Sequence, residues 1–295
     1  MLRNIMIASL GCAFLASGSA QAQIEEKKFN VVGTWNFLTN WQVLEVPFWN
    51  QDLPKASGGK ITANLKSVTE LWMDEMQKVM KEKHNAIILG SFTWPEQNFY
   101  CRGDIKSVED LKGKKIRVQG VSQADLVKGF GASAVTIAFG EVVPALEKGV
   151  VDCGITGTMP AYKAKWTEVT NTLFRLPVGF TAALWLANIN AWNKLSPATQ
   201  EFLKKEFKAL EDKSWKTVEA ETEDGVYCTT GTGNCPAGTP GKLKLVKPSE
   251  LDLKARDKVL NDVVLKEWAK RCGEACAAKW TEIIGKKYGL AAMTN

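Results

Sequence analysis

Arg117 lies inside the apolar run Ile116, Arg117, Val118, and a guanidinium is costly to bury there unless an anion meets it. That anion is either a ligand or one of the chain's own carboxylates, and position alone leaves both open. The remaining reactive residues mostly exclude chemistry. His84 is the single histidine; flanked by Lys83 and Asn85, it reads as a surface residue. Histidine-clustered metals are thereby removed, and a Ser/His/Asp triad becomes improbable. Cys272 and Cys276 stand four apart without further ligands at zinc spacing and without a C-x-x-C signature, so a structural staple between helices is the better reading. No G-x-x-x-x-G-K-[ST] loop occurs, and Gly154 to Gly157 lacks the spacing of a dinucleotide fingerprint. Neither a cofactor nor a metal is expected. Of the 11 tryptophans most belong in a core, but Trp94 before Pro95 and Trp185 on an apolar strand suit the wall of a ligand pocket.

The elements that would position these residues alternate. Lys28 to Trp35 and Ile61 to Leu65 read as strands, with a helix between them carrying Trp41, Leu44, Phe48 and Leu53 and stopping at Ser57, Gly58, Gly59. A helix over Glu70 to Lys81 and a strand over Ala86 to Leu89 follow. The middle is a βαβαβ module: strand Lys115 to Val118, helix Ser122 to Gly129 capped by Ser122, strand Ala134 to Ala138, helix Glu141 to Lys148, strand Val150 to Ile155. Such alternation implies a mainly parallel sheet with ligands at the strands' carboxyl ends, just after Val118 and Ile155. Strand-like runs at Thr172 to Leu176 and Phe180 to Ile189 precede a long helix opened by Ser196 and Pro197 and running to about Asp224. Cys228 and Cys235 would cinch a Gly-rich loop, and helices over Asp252 to Arg271 and Glu274 to Tyr288 complete the chain.

With 295 residues, a formal charge of +6 and 45% hydrophobic residues, the chain is globular in composition and large enough to bury a core without help from disulfides. Arg3, the apolar run Ile5 to Ala16 and the Ala20, Gln21, Ala22 ending read as a secretory signal peptide, too short to span a membrane. Cleavage after Ala22 places the mature protein in an oxidising compartment. The six cysteines that remain then favour bridges; of the roughly 15 connectivities six cysteines permit, the sequence alone does not choose one, but local spacing suggests Cys228 with Cys235 and Cys272 with Cys276, which would leave Cys101 with Cys153. The basic cluster Lys112, Lys114, Lys115 is broken by Gly113 and carries no aromatic stacking pattern, so no nucleic-acid partner is expected.

The run Asp110, Leu111, Lys112, Gly113, Lys114, Lys115, Ile116, Arg117, Val118 resembles the D-L-K-G-x-K-I-R segment of TRAP transporter substrate-binding proteins, the DctP family. Ala138, Phe139, Gly140, Glu141, Val142 and Ala145 to Asp152 resemble that family's helix and its A-L-x-x-G-x-V-D turn. Leu186 to Leu195 and Ser196 to Asp224 resemble its late strand and long spanning helix. The resemblance implies an α/β, two-lobed periplasmic-binding-protein-like fold with mainly parallel sheets and a lobe-spanning helix. It implies an extracytoplasmic, periplasmic receptor, not an enzyme, that takes a small organic acid and hands it to a TRAP permease. Residues 1–22 would be the signal peptide, 23–114 a shortened first lobe, and 115–180 the second lobe. Residues 181–225 would form the return strand and spanning helix, and 226–295 the disulfide loop and C-terminal helices.

By the same resemblance Arg117 pairs with the substrate carboxylate and Thr156 lines the cleft, with Trp94, Trp185 and Asn188 as further lining candidates. The chain departs from the family in two places. Glu70 to Lys83 is too short for the further strand, cleft loop and helix usually found there. Cys153 stands where many relatives have Gly, and a bridge to Cys101 near the cleft would restrain closure. An exported thiol-disulfide protein, or a truncated relative acting through protein contacts, are the competing readings.

Overall fold

The computed structural model describes residues 27–29, 61–63 and 67–294. The signal stretch and the helix expected around Trp41 to Leu53 lie outside the described residues. Two short strands, β1 (Lys27–Phe29) and β2 (Ile61–Ala63), pair in parallel. One helix, α1 (Ser67–His84), fills the interval to the next strand and is longer at both ends than the periodicity predicts. Lys81, Lys83 and His84 occupy its last turn, where positive charge suits the negative end of a helix. His84 is exposed there, as its polar neighbours predict.

Strand β3 (Ala86–Trp94) runs on past Leu89 and pairs antiparallel with β9 (Thr181–Asn188), forming a two-stranded ribbon. Beyond Pro95 and Glu96 the chain enters the main sheet, whose strand order is β10-β8-β4-β7-β5-β6. These are β4 (Gln97–Cys101), β5 (Lys115–Val118), β6 (Ser133–Thr136), β7 (Cys153–Gly157), β8 (Thr172–Phe174) and β10 (Lys244–Val246). Only β4 runs against its neighbours, so the sheet is mainly parallel as the alternation demands. Two apolar layers cover it. Phe99, Ile116, Val118, Ile155 and Phe174 point into one, with Leu126 and Leu260; Tyr100, Trp166 and Leu173 point into the other, with Val142, Leu146 and Val226.

Helix α2 (Val121–Gly129) starts one residue before the expected cap. Ser122 is not its N-cap: Gly120 is, without a side-chain hydrogen bond, and Gln123 Oε1 instead accepts from the Gln119 N–H at 2.8 Å. Helix α3 (Val142–Glu147) follows a 3₁₀ turn, Phe139–Glu141, so Glu141 precedes the helix instead of opening it. Strand β7 begins later than expected because the Asp152 carboxylate accepts from the Lys115 N–H at 2.8 Å, anchoring the turn before it. Helix α4 (Thr158–Lys163) follows β7 directly, and α5 (Ile189–Trp192) follows β9.

The long helix, α6 (Pro197–Thr230), opens as predicted, with Pro197 in the first turn and Ser196 Oγ accepting from Thr199 N–H at 3.2 Å. At 34 residues it spans roughly 50 Å, six residues past the expected end. Gly225 does not stop it, because the position is a packing contact: a Cβ there would stand 2.2 Å from the Met159 nitrogen of α4. The chain closes with α7 (Glu250–Val259), a π turn (Leu260–Leu265), α8 (Lys266–Cys272), α9 (Glu274–Trp280), a second π turn (Thr281–Gly285) and α10 (Lys286–Tyr288).

All three bridges join the expected partners. Cys101 and Cys153 face each other across β4 and β7, Cα atoms 4.0 Å apart. Because both belong to one sheet, and to the end of β7 away from Gly157, this bridge cannot restrain a movement between lobes; that expectation is corrected. Among the described residues no helix is long and apolar enough to cross a membrane, and no three His, Cys, Asp or Glu side chains gather as a metal site.

Candidate functional site

Alternation along β5 sends Ile116 and Val118 into one apolar layer and Arg117 to the opposite face of the sheet. Its neighbour across the ladder is Gly154 on β7. A Cβ at Gly154 would stand 2.7 Å from the Trp166 ring, so the glycine makes room for the indole. Trp166 meets Tyr100 edge-on at 5.9 Å and stacks on Phe139 at 5.6 Å between centroids. The guanidinium carbon of Arg117 lies 5.8 Å from the centroids of both Phe139 and Trp166, within cation–π range.

Two hydrogen bonds aim the side chain: Nε donates to Ile137 O and Nη1 to Ile155 O, each at 3.0 Å. Both acceptors are main-chain carbonyls near the carboxyl end of the sheet. Arg117 is 2% exposed, and burial alone pulls its pKa below the usual guanidinium value, with no carboxylate opposing the shift. Among the described residues it makes no ion pair. A buried guanidinium of this kind is suited to a carboxylate that arrives from outside, in a bidentate pair.

Thr156 lies on the same face of β7, buried, opposite Asn98 of β4. Asn98 Nδ2 donates to Glu96 O at 3.0 Å and to Glu96 Oε1 at 3.1 Å. Glu96 is wholly buried, and Arg175, just past the end of β8, reaches its Oε1 from Nε at 3.5 Å. The same guanidinium forks onto Glu223 of α6, Nη1 to Oε2 at 3.3 Å and Nη2 to Oε1. Burial opposes the Arg175 charge, but the bonds to Glu223 and the nearby Glu96 outweigh it and raise its pKa. Arg256 of α7 donates from Nη1 to Pro177 O at 3.1 Å and pairs with Asp257 at 2.8 Å. The crossovers at Pro95–Glu96 and Arg175–Gly179 are thus tied to each other and to α6 and α7.

Arg117 and Thr156 therefore come together, and Trp94 stands at the margin. It is 44% exposed and, with Thr93 and with Leu210, Val218 and Glu221 of α6, frames a groove of ≈ 250 Å³. Burial pushes the Glu221 carboxyl up. Trp185 and Asn188 do not join them. Trp185 packs on Phe207 at 5.9 Å over Gly90, and four residues of ribbon separate its rung from that of Trp94, roughly 13 Å. Asn188, at the far end of the ribbon, caps α5, its Oδ1 accepting from Asn190 N–H at 3.0 Å and Ala191 N–H at 3.2 Å. Phe139, Asn98, Glu96 and Arg175 are the neighbours that sequence reasoning missed. Phe139 alone carried a signal, standing in the Ala138 to Val142 run.

A mainly parallel sheet, crossovers to a second, smaller ribbon and a long bracing helix define a two-lobed α/β fold of the binding-protein kind, with a buried guanidinium at the carboxyl ends of its strands. Over residues 20–229 the chain matches the DctP family, bacterial extracellular solute-binding protein family 7, and it belongs to that family. A solute-binding protein of Albidiferax ferrireducens is 30% identical over 112 residues, 38% of this chain and 32% of that protein, so the chain spans about a third of that relative's length. The fold resembles a TRAP periplasmic solute-binding protein from Desulfovibrio salexigens with bound orotic acid, with a TM-score of 0.65, 19% identity, and coverage of 73% of this chain and 66% of that one. It also resembles an extracytoplasmic solute receptor of Bordetella pertussis binding pyroglutamic acid, with a TM-score of 0.62, 14% identity, and coverage of 89% and 99%. Members of the family are solute receptors acting outside the cytoplasm, not enzymes.

Proposed function

We propose that the protein, exported with its signal peptide removed after Ala22, takes a small organic acid between its lobes and delivers it to a TRAP-type permease. The observation that carries this is Arg117: buried, held by two main-chain carbonyls beside a stacked pair of aromatic rings, and without an ion pair among the described residues. On binding, the ligand carboxylate takes the remaining N–H groups of the guanidinium, and lobe closure excludes water and strengthens the pair. Thr156 supplies a hydroxyl beside it, Phe139 a face for an apolar or ring-bearing body, and Trp94 the rim. The orotic and pyroglutamic acids bound by the two fold relatives are both carboxylic acids, which supports the class. The first lobe in this reading is a shortened one, with α1 in place of a longer insertion.

The test is isothermal titration with a panel of carboxylates, together with mass spectrometry of small molecules released from purified, unfolded protein. A copurified or tightly bound acid whose affinity depends on Arg117 is the expected result. A panel in which no acid binds, or in which Arg117→Ala binds as well as wild type, rejects the reading.

A further inference from the structure

Next to Arg117 the structure holds a buried acceptor that the carboxylate pairing does not use. Asn98 is wholly enclosed. Its Nδ2 is committed to Glu96 O and Glu96 Oε1, both acceptors only, which fixes the other end of the amide as the oxygen. That oxygen, Oδ1, has no hydrogen-bond partner among the described residues, an arrangement native interiors rarely leave without a purpose.

Its place in the sheet suggests the purpose. Asn98 is the cross-strand partner of Thr156 and shares the face that carries Arg117. Gln97 Oε1 also lacks a partner, but alternation puts Gln97 on the opposite face. Arg117 Nη1 sits on Ile155 O, the residue before Thr156, so the guanidinium reaches β7, the strand between its own β5 and the β4 that carries Asn98, and lies one to two strand spacings from the Asn98 amide, roughly 5 to 10 Å. A carboxylate on Arg117 brings the atoms two or three bonds beyond it to the Thr156–Asn98 rung.

We propose that Asn98 is a specificity residue: its Oδ1 accepts a hydrogen bond from an N–H or O–H group carried two or three bonds from the ligand's carboxylate. The inference rests on the receptor reading above and narrows its ligand to hydroxy, amino or cyclic amide acids over plain aliphatic ones. Glu96 is the positioning residue. By taking both Nδ2 bonds it holds the amide oxygen toward the ligand, and Arg175 and Glu223 hold Glu96 in turn. A bare acid would leave Oδ1 buried and unmet, which is how a polar site rejects a ligand lacking the matching group.

The experiment compares matched acids on the full-length mature protein by titration calorimetry: pyroglutamate against cyclopentanecarboxylate, lactate against propionate, and the same comparison for any acid of the panel that binds. In wild type the donor-bearing member binds at least about 10-fold tighter. In Asn98→Leu that ratio falls to about 3-fold or less, and Glu96→Gln, which keeps the shape and loses the charge, lowers it while the dependence on Arg117 persists. The wild-type comparison needs no variant to fold. A wild-type ratio near one overturns the inference. So does a ratio unchanged in Asn98→Leu, which assigns Oδ1 to a structural water. Arg117-dependent binding without donor preference rejects this inference alone; binding of no acid at all rejects the receptor reading as well.

Discussion

Two arginines stand at the carboxyl end of the same sheet and have been given opposite surroundings. Arg175, past β8, is answered by Glu96 and Glu223, and its charge is stabilised by the fold itself. Arg117, on β5, is answered by two carbonyl oxygens and two aromatic rings, and burial weakens its hold on the proton. A buried charge with a partner ties segments together; one with only partial solvation remains available to a ligand. The first secures the crossovers, and in the receptor reading proposed above the second serves recognition. Arg175 should therefore matter to stability and Arg117 to affinity.

The largest expected effect tests the second half of that contrast. Removing a desolvated charge partner costs roughly 2 to 5 kcal/mol, so Arg117→Ala weakens carboxylate binding about 30-fold to 4,000-fold by titration. Arg117→Lys also binds more weakly, because an ammonium does not reproduce the planar fork. The ligand-free stability of Arg117→Met, by contrast, stays within about 1 kcal/mol of wild type in urea unfolding, since the variant trades two hydrogen bonds for relief of a buried charge. Unfolding of Arg117→Met at much lower urea would show that the guanidinium is chiefly structural.

Arg175→Met should do the reverse, lowering stability by about 2 to 4 kcal/mol because a wholly buried Glu96 loses countercharge; a melting temperature equal to wild type would break the comparison. Gly154→Ala pushes on the Trp166 ring and costs about 1 to 3 kcal/mol. It also weakens acid binding, because that ring flanks Arg117. Calorimetric affinity unchanged in Gly154→Ala would show that the indole does not position the guanidinium.

The smallest effect concerns Glu211, where α6 meets the ribbon. Burial opposes its charge, but Ser91 donates from Oγ at 2.5 Å and from its main-chain N–H at 2.9 Å, Lys208 lies 3.0 Å away, and the net shift is downward. A carboxyl whose folded pKa is depressed contributes stability fully above its unfolded value near 4.5 and loses it as pH falls through the lower folded value. Glu211→Gln should therefore be less stable than wild type at neutral pH, by about 1 kcal/mol, and the gap should close on acidification below pH 4.5. A gap that persists at low pH would assign the loss to packing.

The expectation that ligands bind beyond Val118 and Ile155 came from element alternation, and the cap at Ser196 and Pro197 came from local hydrogen-bond chemistry. Both are short-range signals. The disulfide pairs at Cys228–Cys235 and Cys272–Cys276 were readable for the same reason. Trp185 and Asn188 stand apart from Arg117 and Thr156 because apolar character and strand position do not say how far along a ribbon a side chain falls. Ser suits a cap at position 122, but the chain uses Gly120 and the Gln123 side chain instead.

The sequence by itself determined the alternating strands and helices from β5 to β7, the long helix, the family and the position of Arg117 at the end of a buried strand, since each depends on neighbours within a few residues or on periodic burial; β4, β10 and the short helix α4 carried no such signal. Only the tertiary structure decided what Arg117 touches, and the charges that meet at Glu96 show why. Glu96, Arg175 and Glu223 are far apart in the chain and come within bonding distance only where two crossovers and a long helix converge. Whether a buried charge is matched by the protein or left for a ligand depends on that convergence, and no local pattern encodes it.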